Sequence, residues 1–232
     1  GKADARVCRG GRVEVLTVGS ASTAWATHAA SIEAFAHATG ERADAAHDVA
    51  HLARVVAMAQ KLAAEECASL DVVMPAAWLH DCVHVPVTSP DRPRASIMAG
   101  DAAVGYLHGI GYDATLLNDV HHVIAAHSFS AKIAPRTVAA RVVQDADRLD
   151  AIGAIGIARC LMLGGQLGRT LYDAADPFAE HRTPSDRVSS IDHFYTKLLT
   201  LVDTMQTESG RREAQRRTGY MQGYLNQLRS EL

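Results

Sequence analysis

The sequence predicts an all-α protein built as a single helical domain. Composition is the first observation: 48% of the 232 residues are in the hydrophobic set, but only 5% are aromatic. Alanine is abundant and has the highest helix propensity, whereas strands favour β-branched and aromatic residues. The second observation is that apolar residues recur every three or four positions, which is typical of helices with one buried face.

The domain organisation follows from the length and from the absence of linkers. The chain is long enough for one large domain or two small ones, and apolar enough for a real core. It contains no internal repeat and no low-complexity linker, so we expect one helical domain over residues 23–232. Residues 1–22 are predicted to be an irregular leader, in which Val13–Val18 is either a strand or disordered.

The first helix is predicted to begin after Ser22 or Thr23 and to end at Gly40, a residue type favoured just past helix ends. A second helix follows Asp44 and extends to about Cys67. One stripe along this helix is apolar at helical spacing and is expected to face the core. The stripe consists of Val49, Leu52, Val55, Val56, Ala59 and Leu62.

A third helix is predicted over Val72–Val83, with Pro75 placed in its first turn. The next segment, Val85–Pro93, contains three prolines and is therefore predicted to be a loop. Two further helices are predicted over Ser96–His108 and Asp113–His127, with glycines 109 and 111 between them.

A long helix is predicted to open at Pro135 and to run through Asp147 to Leu163, where Gly164–Gly165 and Gly168 end it. The rest is predicted as a loop over 170–186 and helices over Ser189–Thr207 and Arg211–Leu228. The apolar stripe of the Ser189–Thr207 helix is interpreted as core and not as a cofactor site.

The net charge restricts the binding partners that we expect, and the cysteine spacing restricts the cellular compartment. The formal net charge is −3, so the chain lacks the basic footprint of a nucleic-acid or membrane-surface protein. No apolar run approaches the roughly 18 residues of a membrane span, and no secretory signal is visible. We therefore expect no nucleic-acid partner and no membrane association; homo-oligomerisation stays open. The four cysteines show no CxxC spacing, which favours a reduced, cytoplasmic protein.

Histidine is frequent, with 12 residues, and four positions attract attention as metal ligands: His51, the pair His80–Asp81, and Asp147. Two imidazole nitrogens and two carboxylates suit Mn, Fe, Co, Ni or Zn, whereas all-oxygen sites suit Mg and Ca better. Each of these residues has a structural alternative, such as a surface histidine or a solvated acidic face. Spacing alone does not identify four ligands, and His47, one turn before His51, stays an alternative.

Three motifs in order resemble the HD-domain metal-dependent phosphohydrolase superfamily. They are His51-Leu-Ala-Arg-Val, Ala77-Trp-Leu-His80-Asp81 and Asp145-Ala-Asp147-Arg-Leu-Asp150. The resemblance implies an HD-type helical bundle with a metal-binding core at about 45–165, C-terminal helices packed on it, and one divalent cation (Mn, Fe, Co, Ni, Zn or Mg). It also implies that His51, His80, Asp81 and Asp147 bind the cation. Asp147 fits the family's Ala-Asp-Arg-Leu context better than its acidic neighbours.

Further motifs resemble a subfamily of small, stand-alone bacterial HD hydrolases, over roughly residues 45–228. The chain departs from the phosphodiesterases that cleave cyclic dinucleotides, because Cys82-Val-His84 follows the His–Asp pair and no Gly-Tyr-Pro occurs. A cyclic-dinucleotide substrate is therefore disfavoured. The subfamily motifs are Ser89-Pro-Asp-Arg-Pro-Arg-Ala-Ser96, Ile124-Ala-Ala-His127-Ser-Phe-Ser130, the segment 143–158, and His193-Phe-Tyr-Thr-Lys-Leu-Leu.

Several cationic residues in or near these motifs are candidates for binding substrate phosphate. Arginine forms bidentate bonds to phosphate oxygens, which favours Arg92 and Arg94. His122 and His127 are phosphate contacts, ligands of a second metal, or structural; we favour phosphate or water contact for His127. Lys197 is a further candidate, and Arg169 and Arg182 are weaker ones. Cys82 is discounted as a nucleophile because no partner arrangement supports it.

The predicted activity is metal-assisted hydrolysis of a phosphorylated small molecule, most simply a nucleotide. Asp81 is expected to bind the metal and also to polarise the attacking water, which makes it the catalytic candidate. The reaction is either cleavage of a nucleoside triphosphate to monophosphate and pyrophosphate, or dephosphorylation of a monophosphate. The alternatives are a signalling-nucleotide hydrolase and a non-catalytic regulatory module that binds metal or nucleotide.

Overall fold

A computed structural model describes residues 5–9, 12–16, 23–40, 49–86, 89–128 and 130–232. Apart from one short hairpin, the regular structure in these ranges is helical, and the predicted all-α class is confirmed. The hairpin pairs β1 (Ala5–Arg9) with β2 (Arg12–Leu16) in antiparallel register, with the backbone of Ala5 paired to Leu16 and that of Arg9 to Arg12. It lies within the segment expected to be an irregular leader, and β2 overlaps the alternative strand at Val13–Val18.

The described chain contains nine α-helices and two short 3-10 helices. A 3-10 helix at Arg92–Arg94 leads into α4, and another at Leu198–Thr204 leads towards α9. The α-helices are α1 (Ala24–Gly40), α2 (Val49–Glu65), α3 (Leu70–Leu79), α4 (Ala95–Gly109), α5 (Leu117–His127), α6 (Val138–Asp150), α7 (Gly153–Gln166), α8 (Asp192–Thr196) and α9 (Glu208–Glu231).

The core forms where α2, α3, α5 and α6 pack on one another, with α1 and α4 covering α3 and α5. Helix α3 is the most enclosed, because seven of its ten residues are buried, Pro75 among them. The apolar stripe predicted on α2 is buried from Leu52 to Leu62. In the described residues no single helix has the length and apolarity of a membrane span; only the bent pair α6 and α7 reaches them jointly.

The prediction of one long helix from Pro135 to Leu163 is wrong, because the helix is interrupted between α6 and α7 and the chain bends there by 59°. Gly153 has a φ of +80°, a conformation that side chains with a Cβ rarely adopt. Gly156 permits a close approach, since a Cβ there would lie 2.2 Å from the carbonyl oxygen of Ala151. These two glycines let α7 turn away, although the sequence pattern of apolar residues continues across the break.

Other helix boundaries also differ from the prediction: α3 begins at Leu70 and ends at Leu79, so Pro75 lies in its middle and not in its first turn. Helix α7 continues through Gly164–Gly165 to Gln166, because Gly164 packs against Ser190, where a larger residue would collide. The helix predicted over Ser189–Thr207 is a short α8 followed by a 3-10 helix, and Lys197 between them has φ −143°. Its predicted apolar stripe is nevertheless buried as core at Ile191, Phe194 and neighbouring positions.

Cysteine chemistry also departs from the expectation of four reduced thiols. Cys67, just after α2, is disulfide-bonded, whereas Cys82 and Cys160 are free. The sequence spacing contained no indication of this bond, because disulfide formation depends on the distance between the residues in the fold.

The start of α9 is held against α6 by Asp145. The backbone N–H groups of Gln206 and Thr207 donate to its carboxylate at 2.9 and 2.8 Å, and the Thr207 hydroxyl donates at 2.7 Å. Thr207 in turn caps α9 by accepting from the N–H of Gly210. Asp145 is fully buried and both Thr207 bonds to it are buried, so the two Thr207 donors have no access to water as a replacement acceptor.

We predict that Asp145→Asn lowers the free energy of unfolding by about 1–3 kcal/mol, because an amide N–H₂ then faces donors that lose an acceptor. Urea denaturation followed by circular dichroism measures this loss. Asp203→Asn, the same chemical change at an exposed position, is the matched control and should leave stability unchanged. Equal stability of the two variants would contradict the role assigned to Asp145.

Candidate metal centre and adjoining cavity

The four predicted ligands come from three parts of the chain, and both carboxylates lie within 4.0 Å of the two histidines. His51 lies in α2, His80 and Asp81 directly follow α3, and Asp147 lies in α6. His51 Nε2 is 3.6 Å from Asp147 Oδ1 and 4.0 Å from Asp81 Oδ2. His80 Nε2 is 3.5 Å from Asp81 Oδ2 and 4.0 Å from Asp147 Oδ1. His51, His80 and Asp81 each offer one ligand atom within 4.8 Å of the others.

A fifth group, His127 at the end of α5, joins this cluster. Its Nε2 lies 3.6 Å from Asp81 Oδ1, and its ring meets the His80 ring edge-on with centroids 4.9 Å apart. Its side chain is buried, as are those of His51 and His80. Asp81 and Asp147 are partly exposed and form the open side of the cluster.

The hydrogen bonds at Nδ1 determine what each imidazole offers to the cluster. His80 Nδ1 donates to the carbonyl of Ala77 at 2.8 Å, and His127 Nδ1 donates to the carbonyl of Ile124 at 2.6 Å. A carbonyl oxygen only accepts, so the proton of each neutral ring is at Nδ1 and the lone pair is at Nε2. Both lone pairs are therefore directed at the carboxylates of the cluster.

His51 is oriented in the same way by a carboxylate. Its Nδ1 lies 2.7 Å from Oδ2 of Asp150, whose side chain is only 4% exposed. Arg54 donates to both oxygens of Asp150, at 2.6 and 3.0 Å, and Arg159 donates to Oδ2. Burial would raise the pKa of Asp150, but the bonds from His51 and Arg54 outweigh it and hold this pKa well below its usual range. Asp150 is thus an ionised acceptor behind His51.

Charges in the cluster shift two other groups. Burial disfavours a charged His80, but the negative charges of Asp81 and Asp147 outweigh burial and raise its pKa. The pKa of His127 is lowered by burial and by the neighbouring His80, so His127 stays neutral with an accepting Nε2. This geometry suits a cation or a water molecule better than a phosphate oxygen, which needs a donor.

The donor set fits a divalent cation. His80 Nε2 is buried and has no hydrogen-bond partner in the described part of the chain, which is costly unless an electropositive group occupies that position. The two carboxylates that favour a proton on His80 favour a cation there for the same reason. Imidazole and carboxylate together suit a first-row transition metal. The cluster therefore has the composition and spacing to hold one divalent cation.

A cavity of about 410 Å³ adjoins this cluster. It meets the cluster through Arg159, whose guanidinium lies 3.4 Å from His51 Nδ1, and through Ala151, one turn beyond Asp147. None of the converging side chains itself lines the cavity. Its volume is that of a small-molecule site. It is lined by Arg92, Ala151, Gly156, Arg159, Cys160, Met162, Leu163, Gln166, Arg169, Asp186, His193, Lys197 and Leu198.

The cavity has a charged side and an apolar side. Arg92, Arg159, Arg169 and Lys197 supply positive charge, while Asp186 is the one carboxylate among the lining residues described above. Asp186 lies 3.1 Å from the Nδ1 of His193. Met162 and Leu163 of α7 contribute exposed apolar surface at the rim. The arrangement suits a ligand with an anionic end and an apolar body.

Other candidates from the sequence lie elsewhere. Arg94 is exposed and does not line the cavity, although Arg92, two residues before it, does. His122 accepts a hydrogen bond from the backbone of Arg136 and belongs neither to the cluster nor to the cavity lining. Arg182 is tied to the buried Asp192, which secures the 170–186 loop. His47 lies outside the described residues.

Cys82, beside Asp81, has no nucleophilic character. Its thiol donates weakly to the carbonyl of Ala99 at 3.5 Å. Burial, together with the negative charge of Asp81, raises its pKa to about 12. A thiolate is therefore not available near neutral pH, in agreement with the sequence prediction.

Comparison with known proteins agrees with this geometry. The HD domain family matches residues 48–152, a range that includes the whole cluster and Asp150. The Bacillus subtilis protein YpgQ is 36% identical over 191 residues, covering 80% of this chain and 84% of YpgQ. The chain belongs to the HD-domain superfamily and has the fold of its hydrolases, which confirms the family resemblance.

Two solved structures are similar over nearly the whole chain. The structure of B. subtilis YpgQ in complex with ADP matches with a TM-score of 0.70 and 32% identity, covering 90% of this chain and 97% of that one. An HD-superfamily hydrolase from Bacillus thuringiensis matches with a TM-score of 0.69 and 31% identity, covering 87% and 95%.

Sequence reasoning missed Asp150 and Arg159 as parts of the site. Asp150 stands three positions after Asp147, which places both on one helical face, so the spacing contained a usable signal. Arg159 lies across the α6–α7 break, and a straight helix would not have brought it to Asp150. Its position depends on the 59° bend.

We predict that Asp150→Asn weakens Mn²⁺ binding about 10- to 100-fold, because the carboxylate that orients His51, a candidate metal ligand, is lost. Isothermal titration calorimetry with Mn²⁺ measures the affinity. Asp145→Asn on the same helix is the matched control: it should destabilise the fold yet leave Mn²⁺ affinity unchanged. Equal affinities in the two variants would show that Asp150 does not position His51.

Proposed function

We propose that this chain is a metal-dependent phosphohydrolase that acts on a nucleotide. The observation that carries the proposal is the cluster of three imidazole lone pairs and two carboxylates beside a cavity lined by four cationic side chains. Phosphoryl transfer needs a bound cation and positive charge around the phosphate more than it needs covalent chemistry from the protein.

The resident divalent cation, held by His51, His80, Asp81 and Asp147, would lower the pKa of a bound water and neutralise phosphate charge. The protein's own part begins with the bonds at Nδ1, which fix the orientation of the three imidazoles and direct their Nε2 atoms towards the cluster. Asp81 presents Oδ2 to His80 and Oδ1 to His127, so it is placed to bind the cation and also to accept a hydrogen bond from the attacking water. His127 Nε2 is an acceptor for the same water.

The cations of the cavity have a separate task. Two carboxylate ligands leave a divalent cation close to neutral, so a di- or triphosphate needs other positive charges. Arg92 and Lys197 line the cavity, and Arg159 joins it to the cluster. Because Arg159 already donates to Asp150, a phosphate bound there would be linked to the residue that orients His51.

The apolar rim favours a nucleotide over inorganic phosphate or a phosphate ester without an apolar group. Met162 and Leu163 provide apolar surface on which a base or ribose can pack. The structure of the relative YpgQ in complex with ADP supports a nucleotide ligand for this chain as well.

We predict Mn²⁺-dependent hydrolysis of at least one nucleotide, which Asp81→Asn abolishes because it removes a ligand and the acceptor for water. The measurement is a panel of nucleoside tri-, di- and monophosphates with separate assays for pyrophosphate and orthophosphate. Asp203→Asn, on the exposed 3-10 helix, is the control and should keep wild-type rates. Binding of nucleotide without turnover across divalent metals would favour a regulatory module instead.

We predict that Lys197→Ala lowers kcat/KM about 10- to 100-fold, since a hydrogen bond to a charged group contributes about 1.5–3 kcal/mol. Arg141→Ala, which removes an exposed cation of α6 outside the cavity, should leave kcat/KM unchanged. Mn²⁺ affinity should be the same in both variants. An unaltered kcat/KM in Lys197→Ala would place the phosphate site away from this cavity.

A further inference from the structure

A second cavity, of about 600 Å³, lies between α2, the start of α7 and α9. It shares no lining residue with the cavity beside the metal centre. Its volume also falls in the range of small-molecule sites. The lining residues that carry the argument are Arg54, Lys61, Asp150, Arg216, Arg217 and Tyr220.

Positive charge dominates this second cavity. Four of its lining side chains are cationic, and Asp150 is the one carboxylate among the lining residues that the structure describes. Glu213 stands nearby and pairs with Arg216 and Arg217. Even with Glu213 included, the four cations outnumber the two carboxylates. The positive end of the α7 dipole adds to the same field.

The cations are arranged so that a ligand can reach them. Lys61 is exposed and has neither a hydrogen-bond nor an ion-pair partner in the described ranges, and Arg216 is largely exposed. Tyr220 is 60% exposed at the rim and offers a ring and a hydroxyl. A surplus of two positive charges matches a phosphate group, which carries close to two negative charges near neutral pH, better than a single carboxylate.

We propose that this cavity is a second binding site, which takes a phosphorylated small molecule and is separate from the substrate cavity. Lys61 and Arg216 hold the phosphate at the open side, while Arg54 and Arg217 form the inner wall. The proposal does not depend on hydrolysis at the metal centre, because it concerns binding at residues outside that centre.

Occupancy of the second cavity is linked to the metal centre by the hydrogen bonds that Asp150 makes with Arg54 and His51. Arg54 lines the cavity and donates to both oxygens of Asp150, and Asp150 orients His51. A phosphate that attracts Arg54 weakens its hold on Asp150 and thereby alters the orientation of His51. By linkage, the affinity for the metal changes when the second cavity is filled, and the affinity for phosphate changes when metal binds.

The test is equilibrium dialysis of the full chain, loaded with Mn²⁺, against radiolabelled inorganic phosphate. We expect the wild type to bind two phosphates. In Lys197→Ala, only the site in the first cavity should be weakened. Lys61→Glu should weaken the other site about tenfold or more, because an attractive charge becomes a repulsive one. Arg141→Glu, the same charge reversal on an exposed face of α6, should bind phosphate like the wild type.

Undiminished phosphate binding in Lys61→Glu, or loss of all bound phosphate in Lys197→Ala, would overturn the proposal. Arg216→Ala, a milder change at an exposed position, repeats the test if the charge reversal at Lys61 impairs folding. Phosphate should also shift the Mn²⁺ affinity of the wild type more than that of Lys61→Glu; equal shifts would overturn the link through Arg54. A variant that hydrolyses no nucleotide but still binds phosphate in the second cavity would support this proposal independently of the proposed function.

Discussion

The site depends on three imidazoles whose Nδ1 atoms each donate to a fixed acceptor, so that all three Nε2 atoms converge. The acceptors are the Ala77 and Ile124 carbonyls for His80 and His127, and the Asp150 carboxylate for His51. Each carbonyl belongs to a residue three positions before its histidine, so the helix end itself sets the ring. Without these bonds the rings would be free to rotate or change tautomer, and the lone pairs would not share one target.

Asp150 differs from the two carbonyls because it is a buried charge. A buried carboxylate is costly unless it is paired and hydrogen-bonded, and here His51, Arg54 and Arg159 satisfy it together. These partners come from α2 and α7, so the carboxylate joins both helices to α6. The same residue stands between the two cavities, since Arg159 lines one and Arg54 lines the other. One electrostatic network therefore connects the fold, the metal centre and both candidate ligand sites.

Much of the fold was accessible from the sequence, because apolar spacing predicts helices that pack on a common core. The helices α1, α2, α4 and α5 lie close to their predicted positions. The failures occur where the pattern of apolar residues continues but the backbone turns, as at Gly153, or where a glycine pair sits inside a helix for packing, as at Gly164. A glycine indicates that a turn is allowed, and only the packing around it decides whether the chain uses it.

The candidate site was accessible in part. The ordered motifs indicated His51, His80, Asp81 and Asp147, and the structure brings these four side chains together; metal binding by them stays a prediction. Arg94 and His122 were equally plausible phosphate contacts by sequence, yet they lie outside the cavity that Arg92 and Lys197 line. Local spacing does not show whether a charged side chain lies on the side of its loop or helix that faces a cavity.

The three acidic residues of α6 show which properties the sequence determines and which depend on tertiary packing. The sequence alone determined a helical protein and the helix that carries Asp145, Asp147 and Asp150, and it predicted a metal-binding chemistry. Residues two apart on a helix differ by roughly 200° in direction, whereas residues three apart lie near one face. Tertiary packing then assigned the roles: Asp145 faces α9, Asp147 faces the metal centre, and Asp150 faces His51 and two arginines. Identical carboxylates acquire different functions because each meets a different neighbour, and those neighbours are far away in the sequence.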